Sequence, residues 1–530
     1  MAHTPMFAKL IDAFRVAGES VTTGRPIESI LEQHARDRMS RREFLGAGAV
    51  AGVALTGLPD VVRRLRTITA PRVAIVGAGL AGLTCAYRLR QAGVVATVYE
   101  GNTRLGGRCW SIRGAFDGGQ IAEHGGELID QYHKETRQLA QELGLVLDNL
   151  LAAEQNGTEP FYYFDGSRQT FAETVDAVKK VWQALHSDLS AASYPTTYNN
   201  FTAAGFALDH MSILQWINSR VPGGHASPLG QLLDVAYNIE YGAEIAVQSS
   251  LNLLYLLGYQ GPGQFRIFGT SNEKYHVRGG NDQIVSRLAE AVDGQIETDS
   301  ALSAIARTSD GRYTLTFGSG RTTRGVTADQ VVLALPFSKL QDVDWSKAGF
   351  VEPKTFAIKE SIIGANAKVQ LQFSSRHWRT LGNNGDSYAD TGYQDTWEVT
   401  RAQGGTPGIL VNYTGGDTTR SQAGASAETL AQRFLDQVEP VLPGLGAKWN
   451  GKVTLDYWPS NPWSKGAYSY WRVGQYTRFA GSEYERSGNC HFCGEHTSIN
   501  SQGYLNGAVE TGQRAADDVL ADFKVKGYEK

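Results

Sequence analysis

The stretch Val73-Ala74-Ile75-Val76-Gly77-Ala78-Gly79-Leu80-Ala81-Gly82-Leu83 decides the fold. Its first four residues are apolar and predict a short buried strand, and a helix is predicted from Leu80 to Gln91. Gly77, Gly79 and Gly82 form the pattern G-x-G-x-x-G at the turn between them. The first glycine permits a tight turn, the second lets the backbone approach a pyrophosphate, and the third lets helix and strand pack closely. The start of the helix presents free N–H groups and a positive dipole end to an anion.

A second predicted strand supplies the other half of this unit. Ala96-Thr97-Val98-Tyr99 is β-rich, and Glu100 follows it directly. An acid at this distance from the glycines is placed to hold ribose hydroxyls. The glycine pattern alone is weak evidence, but strand, helix, strand and acid together make it strong evidence for a dinucleotide-binding domain. The residues expected at the dinucleotide are Gly77, Gly79, Leu80, Ala81, Gly82 and Glu100.

The residues after Glu100 indicate which dinucleotide is bound. In Arg104-Leu105-Gly106-Gly107-Arg108, Gly107 leaves room for a second backbone approach and Arg108 brings a fixed cation toward a phosphate. Together with the preceding acid, this run resembles the flavin amine oxidase superfamily of monoamine, polyamine and L-amino-acid oxidases. The resemblance recurs from residue 71 to about residue 520 and is nearest to the bacterial L-amino-acid oxidases. It implies bound FAD.

Length and composition limit the remaining possibilities. A chain of 530 residues is too long for one core, so two or three domains are expected. The formal net charge of −4 gives no reason to propose nucleic acid as a partner. No apolar run is long enough for an ordinary membrane span, so stable membrane insertion is not expected. Cys490 and Cys493 form a single C-x-x-C without a second pair or well-spaced histidines, so no metal site is predicted.

The N-terminal segment has a different character. Ser40-Arg41-Arg42-Glu43-Phe44-Leu45 precedes a mildly apolar, Ala/Gly-rich run from Gly46 to Leu58. This resembles a twin-arginine export signal, a route that carries proteins already folded around a cofactor. A long polar segment before it and the lack of a clean A-x-A cleavage site argue against the signal. Export to the periplasm or the medium is one expectation, and a cytoplasmic protein with a helical N-terminal extension is the other.

The resemblance also implies the domain organisation. We expect an α/β protein with a Rossmann-type FAD-binding domain, a mixed-sheet substrate domain and a helical insertion, the amine oxidase fold. Residues 1–70 form the N-terminal extension in this prediction. The FAD-binding domain combines residues 71–150, 276–336 and 485–525. Residues 151–275 form the helical insertion at the entrance to the site, and residues 337–484 form the substrate-binding domain.

The resemblance continues at Gly119 to Leu128, where a glycine pair, Gly125 and Gly126, is implied beside the flavin ring. Venom L-amino-acid oxidases have an arginine close after this turn that binds the substrate carboxylate. This chain has Glu127 and Leu128 there, so that clamp is absent, although the G-G-E-L form resembles bacterial amino-acid oxidases. Glu127 is expected at the cofactor and, in an amine oxidase, would attract a distal ammonium group.

Other positions complete the implied cofactor site. Gly494 and Glu495 are implied at the ribityl-phosphate, and a helix beginning near Gly503-Tyr504-Leu505 would direct its positive dipole end at the flavin. Leu302 is implied against the adenine. Ala467 stands where monoamine oxidases have the cysteine that joins the flavin, so the FAD is expected to be non-covalent.

The resemblance names the catalytic residues as well. Lys368, at the start of a predicted strand, would hold a water close to flavin N5 and assist reoxidation by O2. Tyr504 would be one wall of an aromatic cage, with Tyr468 or Trp463 as the other. No strong catalytic base is expected, because the cofactor carries the chemistry once the neutral amine is placed beside it.

The expected reaction oxidises the α C–N bond of an L-amino acid with O2, giving a 2-oxo acid, ammonia and hydrogen peroxide. Such a substrate needs a cation for its carboxylate; Arg108 is the first candidate, followed by Arg472 and Arg113. Three further residues are candidates for the pocket lining: Trp397, Glu398 and Trp471.

Other functions remain open from the sequence. The chain would be a primary amine or polyamine oxidase if no carboxylate clamp exists, or an amino-acid 2-monooxygenase if it makes an amide. A non-catalytic flavin-binding protein is the alternative from another class. The sequence does not set the oligomeric state, although family members are often dimers, so a homodimer is one expectation.

Overall fold

Two large sheets organise the chain in the computed structural model, which describes residues 16–31, 72–192, 194–258, 272–319 and 322–525. One sheet has five strands that all run parallel, and the other has seven strands of mixed direction. This is the α/β architecture that the sequence predicts.

The five-stranded sheet contains the motif strand at its centre. Its strands, in spatial order, are Cys490–Phe492, Gln330–Leu333, Val73–Val76, Ala96–Tyr99 and Ile296–Glu297. Val73 and Ile75 pack into one core while Ala74 and Val76 pack into another. Alternate side chains of a strand point to opposite faces, so a strand covered on both faces must be apolar throughout, as Val73–Val76 is.

The seven-stranded sheet forms the floor of the candidate substrate region. Its strands, in spatial order, are Trp449–Tyr457, Asn366–Phe373, Gly408–Gly415, Asp395–Glu398, Asn383–Ala389, Glu159–Phe164 and Ser167–Gln169. The last two strands fall within the range predicted as a helical insertion. The aromatic run at residues 161–164 favours a strand, and it pairs with Asn383–Ala389.

Smaller sheets connect these two. A four-stranded sheet contains Thr322–Ala328, Tyr313–Ser319, Ala301–Arg307 and Asp344–Lys347. Three two-stranded pairs join Ser111–Ile112 to Ala122–Glu123, Leu147–Asn149 to Tyr275–Val277, and Ile362–Ile363 to Ser469–Tyr470.

Helices cover the sheets and fill most of residues 171–258. Their bounds are Leu80–Gln91, Lys134–Glu142, Phe171–Ala192, Ala203–Asp209, Ile213–Arg220, Pro228–Tyr241, Ser250–Gly258, Asp282–Ala291, Phe337–Leu340, Lys354–Glu360, His377–Thr380, Gly416–Arg420, Ala427–Val438, Gln475–Phe479 and Leu505–Asp522. Within the described parts of the chain, no helix is long and apolar enough to cross a membrane.

The described part of the N-terminal extension, residues 16–31, is helical over 16–23 and 27–31. Val16, Ala17 and Ile30 are buried in the same core as the helix Phe171–Ala192. The twin-arginine-like residues, Ser40 to Leu58, lie outside the described residues.

Candidate active site

A cavity of about 290 Å³ extends from the glycine turn of the motif to Tyr504. Sixteen of the residues predicted at the cofactor line it: Gly77, Gly79, Leu80, Ala81, Glu100, Gly107, Arg108, Gly125, Gly126, Glu127, Leu302, Gly494, Glu495, Gly503, Tyr504 and Leu505. Gly82 lies behind the wall, where a Cβ would meet the Gly77 carbonyl oxygen at 2.0 Å. This close approach explains the third glycine of the motif as a packing residue.

The glycine turn leaves space for a ligand at Gly79 but not at Gly77. Gly77 has φ +105°, and a Cβ there would lie 2.8 Å from the Ala334 carbonyl oxygen. At Gly79 a Cβ would meet nothing within 4 Å. The helix Leu80–Gln91 that follows has no side-chain cap and no acid in its first turn. The turn therefore presents an uncompensated helix N-terminus beside open space, which fits a pyrophosphate.

Glu100 is fixed at the same end of the cavity. Its carboxylate accepts hydrogen bonds from the Ala78 N–H at 2.7 Å and the Asn102 N–H at 2.8 Å. Burial raises the pKa of Glu100, and these two N–H donors oppose the rise. Trp463 packs against Gly101, whose Cβ would lie 2.4 Å from the indole ring. Trp463 is therefore at the ribose end of the cavity, away from the position expected of a cage wall.

Arg108 joins the glycine-rich run to the C-terminal part of the site. Its Nη1 donates to the Ala467 carbonyl oxygen at 2.7 Å and to Glu495 Oε1 at 2.8 Å. Glu495 also accepts hydrogen bonds from the Ser469 hydroxyl at 2.7 Å and from the Gly503 N–H at 2.8 Å. Burial alone would raise the pKa of Glu495, but the neighbouring Arg108 holds it below its usual value. The guanidinium thus has a carboxylate partner within the protein.

The glycine pair Gly125 and Gly126 lies between two parts of the cavity wall. A Cβ on Gly125 would lie 2.1 Å from the Arg108 carbonyl oxygen, and one on Gly126 would lie 2.7 Å from the Leu505 side chain. Leu505 begins the helix Leu505–Asp522, which has no side-chain cap. The pair thus brings the Glu127 turn close to a second free helix N-terminus, which suits an electron-rich ring edge.

Lys368 and Glu127 form a buried ion pair at the far end of the cavity. Lys368 Nζ lies 2.8 Å from Glu127 Oε2 and also donates to the Gly125 carbonyl oxygen at 2.9 Å and the Glu123 carbonyl oxygen at 3.3 Å. Trp397 Nε1 donates to Glu127 Oε1 at 3.0 Å. An ammonium group has three donors. All three donors of Lys368 have protein acceptors, so Lys368 must give up one of these hydrogen bonds to hold a water. The 3.3 Å contact with the Glu123 carbonyl oxygen is the longest of the three.

Aromatic side chains enclose this end. Tyr468 lines the cavity and its hydroxyl shares a 2.7 Å hydrogen bond with that of Tyr413. The rings of Trp397 and Tyr413 meet edge to face at 5.2 Å. Tyr504 packs against His133 with ring centroids 4.8 Å apart. Tyr468 and Tyr504 are thus both exposed to the cavity as the cage prediction requires.

The strand register explains this grouping. Lys368 lies opposite Tyr413, and Tyr413 lies opposite Asp395 on the next strand. Directly opposed residues project from the same face of a sheet. Trp397 is two residues beyond Asp395 and shares that face.

Several predicted lining or clamp residues lie elsewhere. Arg113 is bound to Asp282 at 2.6 Å, outside the cavity wall. Glu398 is buried between Arg376 and Arg379 and serves a structural ion-pair cluster. Arg472 and Trp471 are also absent from the cavity wall, and Trp471 instead lines a separate cavity with Tyr476. None of these four residues lines the cavity that contains the predicted cofactor residues.

Among the residues that the fold brings into the cavity without a prediction from the sequence are Tyr413 and Glu273. Alternation along the strand Gly408–Gly415 was the only sequence signal for Tyr413. Glu273 lies in an irregular segment before Tyr275–Val277, where no pattern indicates its direction. All four cysteines are buried and unpaired by disulfides. Among the described residues no cluster suits a metal ion.

The cavity thus combines two free helix N-termini, the buried Glu100 carboxylate and an aromatic end. The model of the flavin-containing amine oxidoreductase family matches residues 80–520. The chain belongs to this family, which confirms the resemblance found in the sequence.

Curated relatives act on different amines. The chain is 26% identical over 473 residues to an L-amino-acid oxidase of Siganus canaliculatus, covering 85% of each chain. It is 24% identical over 464 residues to polyamine oxidase 7 of Oryza sativa subsp. japonica, covering 83% of this chain and 93% of the relative. It is 25% identical over 500 residues to nicotine dehydrogenase of Pseudomonas putida, covering 91% and 97%.

Solved structures share the fold. Cyclohexylamine oxidase from Brevibacterium oxydans superposes with a TM-score of 0.74 at 21% identity, covering 86% of this chain and all of that one. Putrescine oxidase bound to putrescine superposes with a TM-score of 0.73 at 22% identity, covering 85% and 99%. The predicted amine oxidase fold is confirmed.

Proposed function

We propose that this flavin-family enzyme oxidises the C–N bond of cationic amines with O2, giving a carbonyl compound, ammonia and hydrogen peroxide. The observation that carries the proposal is which charged side chains of the cavity wall already have a partner. Glu127 and Glu273 both line the cavity, and Lys368 is paired with Glu127. Of the two arginines that line it, Arg108 is bound to Glu495, and Arg104 donates to the backbone carbonyl oxygens of Leu105 and Gly107. Such a site suits an ammonium group better than a carboxylate.

FAD is the cofactor that we propose, bound without a covalent link. The open space at Gly79 and the oriented Glu100 carboxylate fit a pyrophosphate and a ribose. Ala467 offers no thiol for a covalent bond. When bound, the flavin supplies the two-electron oxidation of the C–N bond and the transfer of those electrons to O2.

The protein residues bind, orient and dehydrate the substrate. Tyr468 and Tyr504 present aromatic faces that attract a cationic amine and exclude water from it. Desolvation between these rings favours the neutral amine, the form that can be oxidised. Lys368 is placed to assist the reaction with O2 by exchanging its longest contact for a water.

L-Amino acids are the second candidate substrates. The similarity to L-amino-acid oxidases favours them, and Arg108 does line the cavity. Arg108 would have to serve the substrate carboxylate while bound to Glu495 and the Ala467 carbonyl oxygen. Because Arg108 is already engaged by Glu495 and Ala467, the site supports amines as substrates more strongly than amino acids. An amino-acid 2-monooxygenase is distinguished by its amide product.

The experiment is anaerobic reduction of the purified yellow protein by matched pairs of L-amino acids and their decarboxylated amines. Under the proposal, the amines bleach the flavin at least as fast as the amino acids. Bleaching by the L-amino acids alone would overturn the amine proposal and establish the second candidate. D-Amino acids serve as the stereochemical control. Lack of bleaching by the whole panel would favour a non-catalytic flavin protein.

Export by the twin-arginine route and a homodimeric assembly remain proposals from the sequence. Fractionation of cells that express the full chain tests the first, and light scattering of the purified protein tests the second.

A further inference from the structure

Glu273 is a buried residue in the wall of the cavity, and its carboxyl group has no partner among the residues that the structure describes. The residue is 5% exposed, and neither carboxyl oxygen has a hydrogen-bond partner in this part of the chain. Buried polar groups in proteins are almost always hydrogen-bonded, because an unmet one costs about 1–3 kcal/mol. A buried carboxyl group that lacks a hydrogen-bond partner inside a binding cavity points to a ligand that supplies this partner.

The backbone at Glu273 is held in an unusual conformation. Its φ is +47°, in the left-handed region that side-chain-bearing residues seldom adopt. Asp130 Oδ1 accepts hydrogen bonds from the Glu273 N–H at 2.6 Å and from the Asn272 N–H at 2.8 Å. Strained conformations of this kind persist where the surroundings enforce them, often at ligand sites. Asp130 is thus a positioning residue that fixes the backbone from which the Glu273 side chain projects.

The surroundings of Glu273 are acidic. Burial raises the pKa of its carboxyl group well above the usual value, and four neighbouring carboxyl groups add to the effect: Asp130, Glu240, Asp386 and Asp395. Of these, Asp130 is buried beside His133, and Asp386 is paired with Arg401. Lys368, the cation of the aromatic end, is bound to Glu127. The Glu273 carboxyl group is therefore harder to ionise than a free carboxyl group, and a cation placed next to it would favour its ionisation.

The position of Glu273 suits a long substrate. Asp395, one of its acidic neighbours, lies opposite Tyr413 in the sheet, and Tyr413 is hydrogen-bonded to Tyr468. The cage tyrosine Tyr468 and Glu273 both line this cavity. A substrate amine between the cage rings can extend its remaining atoms toward Glu273.

We propose that Glu273 is the receptor for a second cationic group on the substrate. This inference rests on the proposed amine oxidase function and specifies its substrate class: amines that carry a further ammonium or guanidinium group several atoms from the oxidised C–N bond. Diamines and basic L-amino acids share this chemistry. A bound cation favours the ionised Glu273 carboxylate, and any proton that the carboxyl group carries in the free protein leaves to solvent.

The test compares paired substrates in the holoenzyme and in its Glu273→Gln variant. Pentane-1,5-diamine is paired with pentylamine, and L-lysine is paired with L-norleucine. We expect kcat/KM for the dicationic member to fall by roughly 10- to 100-fold in the variant, the scale of one lost charged hydrogen bond. The monocationic member should change less than about threefold, within the spread of a neutral hydrogen bond. Loss confined to the diamine pair assigns diamines as the substrate, and loss confined to the lysine pair assigns basic amino acids.

Glu483→Gln is the matched control, because Glu483 is also a buried carboxyl group with a raised pKa but lines the separate cavity. It should leave both ratios unchanged. Equal loss for both members of a pair in Glu273→Gln would overturn the inference while leaving amine oxidation intact. Lack of turnover by any amine or amino acid in the wild type would instead mark failure of the proposed function.

Two further readouts do not depend on turnover. Calorimetric titration with pentane-1,5-diamine in buffers of different ionisation enthalpy should release up to one more proton from the wild type than from Glu273→Gln. Glu273→Asp keeps the carboxyl group but shortens it, so the preferred diamine should become about one methylene longer. An equal proton count in wild type and variant, with no change in the preferred chain length, would overturn the inference even if Glu273→Gln folds poorly.

Discussion

Lys368 Nζ and Glu127 Oε2 lie 2.8 Å apart, and both side chains are nearly excluded from solvent. Each residue was expected at the site for a separate reason, the lysine for a water and the acid for a distal ammonium group. Their pairing satisfies the acid within the protein. The receptor that we propose for a cationic group of the substrate is therefore a different carboxyl group of the cavity wall, that of Glu273.

Removing both partners of this pair should cost less than the sum of the two single removals. Lys368→Met leaves Glu127 buried without a cation, and a buried pair broken in this way is destabilised by about 3–5 kcal/mol. We expect the thermal midpoints of Lys368→Met and Glu127→Gln to fall, and that of the double variant to fall by less than their sum. Scanning calorimetry of the three variants measures this. Strict additivity would show that the two residues are not coupled.

Lys368→Met should also slow the reaction of the reduced enzyme with O2. Loss of one positioned electrostatic contact commonly costs about 10²-fold in rate. Stopped-flow reoxidation after anaerobic reduction provides the measurement, with Lys180→Met as a control lysine that is paired with Asp176 on the surface. Reoxidation of Lys368→Met at the parental rate would remove Lys368 from the reaction.

Alanine substitutions at Gly79 and Gly82 of the motif should have different effects on folding and on cofactor binding. Gly79→Ala adds a methyl group to open space, so the protein should fold but lose cofactor, because the methyl group occupies the pyrophosphate position. Gly82→Ala forces a Cβ to 2.0 Å from the Gly77 carbonyl oxygen, so it should not give folded protein. Circular dichroism and the flavin-to-protein absorbance ratio separate the outcomes. A fully flavin-loaded Gly79→Ala protein would contradict the assignment.

Arg108→Ala should affect cofactor retention before substrate choice. The variant leaves Glu495 buried without its cation and frees the Ala467 carbonyl oxygen. We expect low flavin content on purification, partly restored in Arg108→Lys, since lysine keeps the charge but not the two-pronged geometry. Full flavin loading with a raised KM for L-amino acids alone would identify Arg108 as the carboxylate receptor instead.

His496 should make the protein sensitive to acid. Burial lowers the pKa of its imidazole from 6.5 to about 3, so the unfolded chain binds the proton more readily than the folded one between these values. Above pH 6.5 the imidazole is neutral in both states and does not change the free energy of unfolding. Below pH 6.5 this free energy falls as the pH drops toward 3, by up to about 1.4 kcal/mol per pH unit. His496→Gln should flatten the fall of the thermal midpoint over this range. An unchanged pH profile in the variant would show that the pKa of His496 is the same in the folded and the unfolded chain.

The local patterns were enough for the fold and for the cofactor half of the site. A strand, a glycine turn and a helix are set by residues near one another, so Gly77, Gly79 and Glu100 were predictable from spacing. The aromatic end depended on pairing between distant strands. Lys368 and Tyr413 belong to adjacent strands, and Trp397 to the next, so their grouping follows from sheet register. The aromatic strand at residues 161–164 was missed within the predicted helical insertion for the same reason, because its partner Asn383–Ala389 is more than 200 residues away.

The sequence by itself determined the family, the glycine turn and the helix that meets it, because short-range sterics and dipoles decide these features. Tertiary structure alone decided which charges are left for a ligand. Arg108 is bound by Glu495, and Glu127 is bound by Lys368, each pair formed by residues more than 200 positions apart. Glu273 retains an unmatched carboxyl group. The amino-acid composition gives the number of charged residues but not which of them form pairs, because pairing depends on distances that are set only in the folded chain.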